Sequence, residues 1–257
     1  MDIRSAKVPK ENIADCYKSL RELRAYKQKP VLGKCMFWAD HCASAQCSLG
    51  LCYYDGEGVP QNYTEAVRWT RKAAEQGDVI AQKNLGVFYD RGDGVPQNYA
   101  EAVKWYQKAA EQGNAGAQYN LGVCYEEGQG VPQNYNEAVK WYRMAAERGL
   151  AEAQDHLAHC YCDSDKSEHV KWLRKAAEQG HEKAQHRLSI ILGMGGYLPE
   201  EQQDIVEAYK WMRIRAEKES DGIIHSNIKE FMTPEQIQKG EVLAHEYLSK
   251  ATRQQNN

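Results

Sequence analysis

Apolar residues recur along most of this chain at three- and four-residue intervals, in short blocks separated by polar runs that carry glycine and proline. Ala81, Leu85 and Tyr89 share one helical face; after a break, Tyr99, Ala102/Val103, Tyr106 and Ala109/Ala110 share another. The spacing predicts two short helices, each apolar on one side, joined as a hairpin. In the intervening segment Gly92 is placed for a left-handed helix cap, and Pro96 bars helical continuation. The second helix opens on a capping box, Asn98 with Glu101 three residues on, and the pair recurs as Asn62/Glu65, Asn134/Glu137, Asp165/Glu168 and Asp204/Glu207.

That recurrence is part of a longer repeat. Gly50, Gly86 and Gly122 are spaced by 36 residues, and Trp69, Trp105 and Trp141 keep the same step. The second unit reads AQKNLGVFYDRGDGVPQNYAEAVKWYQKAAEQG from Ala81 to Gly113, and the third is nearly the same. Two further units are degenerate. The leucine-to-tryptophan distance is 20 residues in the first three units, 15 from Leu157 to Trp172 and 23 from Leu188 to Trp211. Small residues such as Ala81, Gly86, Ala109 and Ala110 let helices approach, while Trp and Tyr rings fill the space between neighbouring hairpins. One hairpin cannot bury its own apolar face, so the units must stack.

The pattern A-x-x-x-LG-x-x-Y-x-x-G-x-G-V-x-x-(D/N)-x-x-x-A-x-x-(W/Y)-x-x-x-A-A-x-x-G resembles the Sel-one-like repeat, a relative of the tetratricopeptide repeat. The resemblance covers about residues 45 to 218. It implies an all-α, α/α superhelical solenoid of about five hairpins whose concave surface holds partner proteins, in a family of scaffolds and adaptors. Units four and five depart from the pattern: Ala158 and Ser189 replace the glycine, and the GVP loop is lost.

Helical caps are expected at both ends, giving residues 1–44 as an N-terminal cap, 45–218 as the solenoid and 219–257 as a linker and C-terminal cap. From Thr233 the signal TPEQ opens a helix with Ile237, Ala244, Tyr247/Leu248 and Ala251 on one stripe. Near the other end, Ile13, Tyr17, Leu20 and Leu23 form a second amphipathic stripe with Lys and Arg opposite.

Composition narrows the role. The chain has 257 residues, 33 Lys+Arg against 36 Asp+Glu, and a net charge of −3. That balance lacks the broad basic footprint of a phosphate-reading nucleic-acid binder. No stretch is apolar enough to cross a membrane, and the start has no apolar signal core, so the expected address is the cytoplasm. Eight cysteines are compatible with reduced thiols there. Cys52, Cys124 and Cys160 occupy one repeat position, filled by Phe88 in unit two, and read as small buried hydrophobes; Cys35, Cys42 and Cys47 are irregular.

Three chemical alternatives arise. His156, His159, Cys160 and Cys162, with His181 and His186 in the next unit, suggest a metal- or thiol-dependent site, His156 and Cys160 being one turn apart. The spacing matches no standard zinc motif, so no metal and no cofactor is assigned. Ser226-x-x-Lys229 is a weak echo of the β-lactam-binding serine motif, and some relatives of the family are linked to penicillin binding; its usual companion motifs are missing. Each G-x-G follows a helix, not a strand, which excludes a phosphate loop. No catalytic residues are assigned.

The remaining expectation is a binding surface. By analogy with tetratricopeptide superhelices, first helices line the groove and their non-core positions face a ligand. Those positions are Tyr54 and Asp55 in unit one; Lys83, Asn84, Asp90 and Arg91 in unit two; Tyr119, Asn120, Glu126 and Glu127 in unit three; and Asp155 and His156 in unit four. Such a mixture suits an extended peptide or a protein partner, with the asparagines bonding its backbone.

Overall fold

Asn62 and Asn98 each precede a thirteen-residue helix, and each side-chain oxygen accepts the backbone N–H three residues on, at 3.1 Å in both cases. Asn134 and Asp204 accept in the same way, and Asp165 accepts from both Ser167 and Glu168. The computed structural model describes residues 42–193, 204–218 and 226–255, with Met36 and Ala39. The N-terminal amphipathic stripe and Cys35 lie outside these residues.

All described elements are helical: α1 (Ala43–Asp55), α2 (Tyr63–Glu75), α3 (Val79–Arg91), α4 (Tyr99–Glu111), α5 (Ala115–Glu127), α6 (Tyr135–Glu147), α7 (Ala151–Cys160), α8 (Lys166–Glu178), α9 (Glu182–Gly193), α10 (Ile205–Lys218), α11 (Ser226–Lys229) and α12 (Pro234–Gln255). The architecture is the expected α/α solenoid. It divides into two compact units, Met1–Trp141 and Tyr142–Asn257, with the boundary inside α6.

In the first unit α1 pairs with α2 and α3 with α4; α2 packs on α3, α4 on α5, and α1 also touches α3. In the second, α7 pairs with α8 and α9 with α10, α8 packs on α9, and α12 packs on α10. The repeated leucines Leu49, Leu85, Leu121, Leu157 and Leu188 are all buried at the centres of their hairpins. Tyr106 is fully buried, as are Tyr142, Tyr209 and Trp211, whereas its neighbour Trp105 is half-buried and covered by the Lys108 ammonium, 4.1 Å from the ring centroid. Only in the second unit are the repeat tryptophans, Trp172 and Trp211, buried.

Two expectations need correction. The capping boxes are half realised, because Glu101 turns to Lys104 while the Asn98 N–H donates to the Tyr89 carbonyl at 2.8 Å. Glu65 and Glu137 behave alike toward Arg68 and Lys140. A full reciprocal box forms at Thr233 and Gln236, where α12 begins. The other correction is Cys160, which is exposed although Cys52 and Cys124 are buried. Its helix α7 is ten residues long, so Cys160 is the last helical residue and the shortened loop leaves it uncovered.

The loops also tie successive repeats together. Gly92 caps α3 with φ of 80°, as expected. Two residues on, Gly94 has φ of 72°, and a Cβ there would stand 2.4 Å from the Tyr63 carbonyl at the start of α2. A side chain at 94 is therefore barred by backbone conformation and by contact with the preceding repeat.

A second tie is a run of buried glutamines. The Gln82, Gln118, Gln154 and Gln185 amides donate to the carbonyls of Ala74, Ala110, Ala146 and Ala177, each eight residues earlier. Glutamines at the ends of second helices then donate to this row: Gln76 to Gln46, Gln112 to Gln82 and Gln179 to Gln154. At the last rung Tyr247 of α12 serves instead, its hydroxyl accepting from Gln185 at 2.9 Å and reaching the Ala177 carbonyl.

Candidate functional site

In unit 1 four of the expected groove residues, Tyr54, Asp90, Arg91 and Asn120, fall into two small contact sets. Tyr54 of α1 donates its hydroxyl to Asp93 at 3.0 Å, and Arg91 of α3 reaches the same hydroxyl at 3.5 Å. Burial and the Asp93 carboxylate push the Tyr54 phenol above its ordinary value. Farther along α3, Asp90 accepts from the Tyr106 hydroxyl at 3.5 Å, and Asn120 of α5 bonds that same tyrosine. Cys124 of α5 lies within electrostatic reach of Asp90 and Glu127; burial first, then those carboxylates, push its thiol up to about 12. That thiol is inert at neutral pH.

Lys83 is half-buried on the same face, near Cys47 of α1 and Arg91. Burial lowers its pKa below the usual lysine value; the Cys47 thiol group opposes the shift and Arg91 adds to it. Asp90, also half-buried, is pushed the opposite way by burial. On α5, Tyr119, Asn120 and Glu126 are half-buried and Glu127 exposed. Of the charged groups named here, Lys83 and Asp90 are the ones whose ionised forms are disfavoured by burial.

Two of the expected positions are not open. Asn84 is 8% exposed and Asp155 4%. Asn84 turns into the helix packing, while Asp155 is held by Arg187 of α9 at 2.9 Å within unit 2. Position within a first helix is therefore not enough; the facing helix decides. His156 packs against the Tyr142 ring at 5.2 Å. Asp93, which sequence reasoning missed, joins the face from the loop; the signal was a residue that varies inside the G-x-G segment, as Glu57, Asp93 and Gln129.

The histidines of repeats four and five have different neighbours. His181 accepts the Ala184 N–H at the start of α9, His186 contacts Arg215, and His169 is buried beside His159, Arg187, Asp155 and Asp163. Among the described residues no three His, Cys, Asp or Glu side chains are grouped to hold one metal ion. Lys229 of the single-turn α11 lies over the Tyr209 ring at 5.4 Å.

The Sel1 repeat family matches six segments, residues 43–78, 79–114, 115–150, 151–181, 182–219 and 235–256. This chain belongs to the Sel1 repeat family. Its sixth Sel1 segment falls on α12, beyond the five hairpins read from the repeat. A Sel1 repeat protein from Oxalobacter formigenes shares 34% identity over 74% of this chain and 80% of its own, with a TM-score of 0.68. The protective antigen c5321 of uropathogenic Escherichia coli, which displays the same repeat fold, shares 27% identity with a TM-score of 0.66. That alignment covers 93% of this chain and 61% of the antigen. No protein of curated function matches. Sel1 repeat proteins are generally protein–protein interaction scaffolds, and no described helix is long and apolar enough to cross a membrane.

Proposed function

We propose that this Sel1 repeat chain is a non-enzymatic scaffold or adaptor that holds a protein or an extended peptide on the face of its first helices, the concave side in solenoids of this class. One set of contacts supports the reading: the Tyr54 hydroxyl of α1 meets Asp93 and Arg91, and Asp90 of α3 and Asn120 of α5 share the Tyr106 hydroxyl, with Lys83 and Asp90 half-buried. Partly desolvated charges strengthen contacts to a ligand and select for its complement. In this reading residues 45–218 supply the binding solenoid, and 1–44 and 219–257 protect its ends. The setting is the cytoplasm, which keeps cysteines such as Cys52 and Cys124 as thiols, and the charge balance favours protein over nucleic acid.

Affinity capture from native lysate, comparing wild type with a folded variant carrying Lys83, Asp90, Tyr119 and Glu126 changed to Ala, tests the reading. A protein recovered in stoichiometric amount by wild type and lost by the variant supports it. Identical recovery by both moves binding off this face.

A further inference from the structure

We propose that repeat four carries an acid-operated joint: with His169 neutral the α7–α8 hairpin is closed, and a proton taken up at His169 opens it locally while the hairpins of unit 1 stay closed. His169 is the fourth residue of α8 and is 7% exposed. It fills the slot that the other repeats give to the buried alanines Ala66, Ala102, Ala138 and Ala208, none of which can take a charge.

Helix α8 packs on both α7 and α9, and charged groups reach His169 from each. Asp155 and His159 face it from α7, Asp163 from the shortened loop and Arg187 from α9. On its own helix Lys166 is one turn earlier. The two carboxylates are already engaged: buried Asp155 accepts from Arg187 at 2.9 Å, and Asp163 bonds Cys162. A proton on His169 therefore adds a cation beside Arg187, His159 and Lys166, close to the positive N-terminal end of α8. Burial first, then His159 and Arg187, lower its pKa, while Asp155 and Asp163 pull the other way. The closed form thus binds the proton less readily than the open one. Closure is favoured above about pH 6.5 and is lost as pH falls through the lowered value.

A charged imidazole regains its hydration when a covering element moves off it. Helix α7 is the element built to give way. It has ten residues against thirteen in α3 and α5, and Leu150 caps it without a side-chain hydrogen bond, where Asp78 and Asn114 cap those helices through their carboxylate and amide oxygens.

Hydrogen–deuterium exchange of the full chain between pH 7 and pH 5, expressed as protection factors to remove the intrinsic pH dependence of exchange, tests the joint. Protection in α7 and the first turns of α8 is expected to fall by at least about threefold, with α3 and α4 unchanged. His169→Ala, which restores the residue of the other repeats, should hold α7 protection constant over the range. His245→Asn, at an exposed histidine of α12, should leave the wild-type fall intact. If the alanine variant fails to fold, His169→Gln, polar but without a titrating proton, carries the comparison. Constant protection of α7 in wild type, a fall of equal size in the non-titrating variant, or a fall shared equally by α3 and α4 would each overturn the proposal.

Discussion

The side-chain amide of Gln112 donates to Oε1 of Gln82 at 2.7 Å, joining the end of α4 to the start of α3. Gln82 is buried, and its own amide is committed to the Ala74 carbonyl of the preceding repeat. One glutamine thus connects two hairpins and a second closes it. Replacing Gln112 by Ala leaves a buried acceptor without a donor, and the expected loss is about 1–3 kcal/mol by urea denaturation. An unchanged midpoint would remove the glutamine row from the account of stacking.

Asn98→Ala should cost about 1 kcal/mol, because the N–H of Glu101 loses its acceptor at the start of α4. Glu101→Ala should cost much less, since Glu101 is engaged with exposed Lys104 and does not close the cap. Equal losses in the two variants would restore the reciprocal box.

Tyr106 and Trp105 are adjacent but carry unequal weight. Tyr106 is fully buried, and its ring lies 2.5 Å from where a Cβ on Gly86 would stand. Tyr106→Ala should cost about 3–5 kcal/mol, and Gly86→Ala about 1–3 kcal/mol from overpacking. Trp105→Ala, at a half-buried site, should cost less than Tyr106→Ala. The reverse order in thermal melts would make the tryptophan the hairpin's core.

His169 occupies the place filled by the buried alanines Ala66, Ala102 and Ala138 in the other repeats. Burial, then the neighbouring His159 and Arg187, lower its pKa below the ordinary value, so the folded chain binds its proton less readily than the unfolded chain. The stability that follows is present above about pH 6.5 and is lost as pH falls through the lowered folded value. Wild type should therefore lose melting temperature between pH 7 and pH 5, and His169→Ala should lose less. Parallel losses would assign the acid sensitivity elsewhere.

The architecture was legible because it is local and repeated: Leu49, Leu85 and Leu121 mark hairpin centres, Asn62, Asn98 and Asn134 mark helix starts, and every copy confirms the others. Features set by partners distant in sequence were not legible. The Asn98 N–H is claimed by the Tyr89 carbonyl across the hairpin, which frees Glu101 for Lys104. Cys160 is exposed because α7 stops early, and Asp155 is buried because Arg187 reaches it.

Hydrogen–deuterium exchange of the full chain, alone and saturated with the protein it captures, tests the first-helix face most directly. The account predicts slowed exchange in α1, α3 and α5 on binding, centred on the segment from Lys83 to Arg91, with α2 and α4 little changed. Protection confined to α2 and α4, with α3 exchanging as in the free chain, would contradict it.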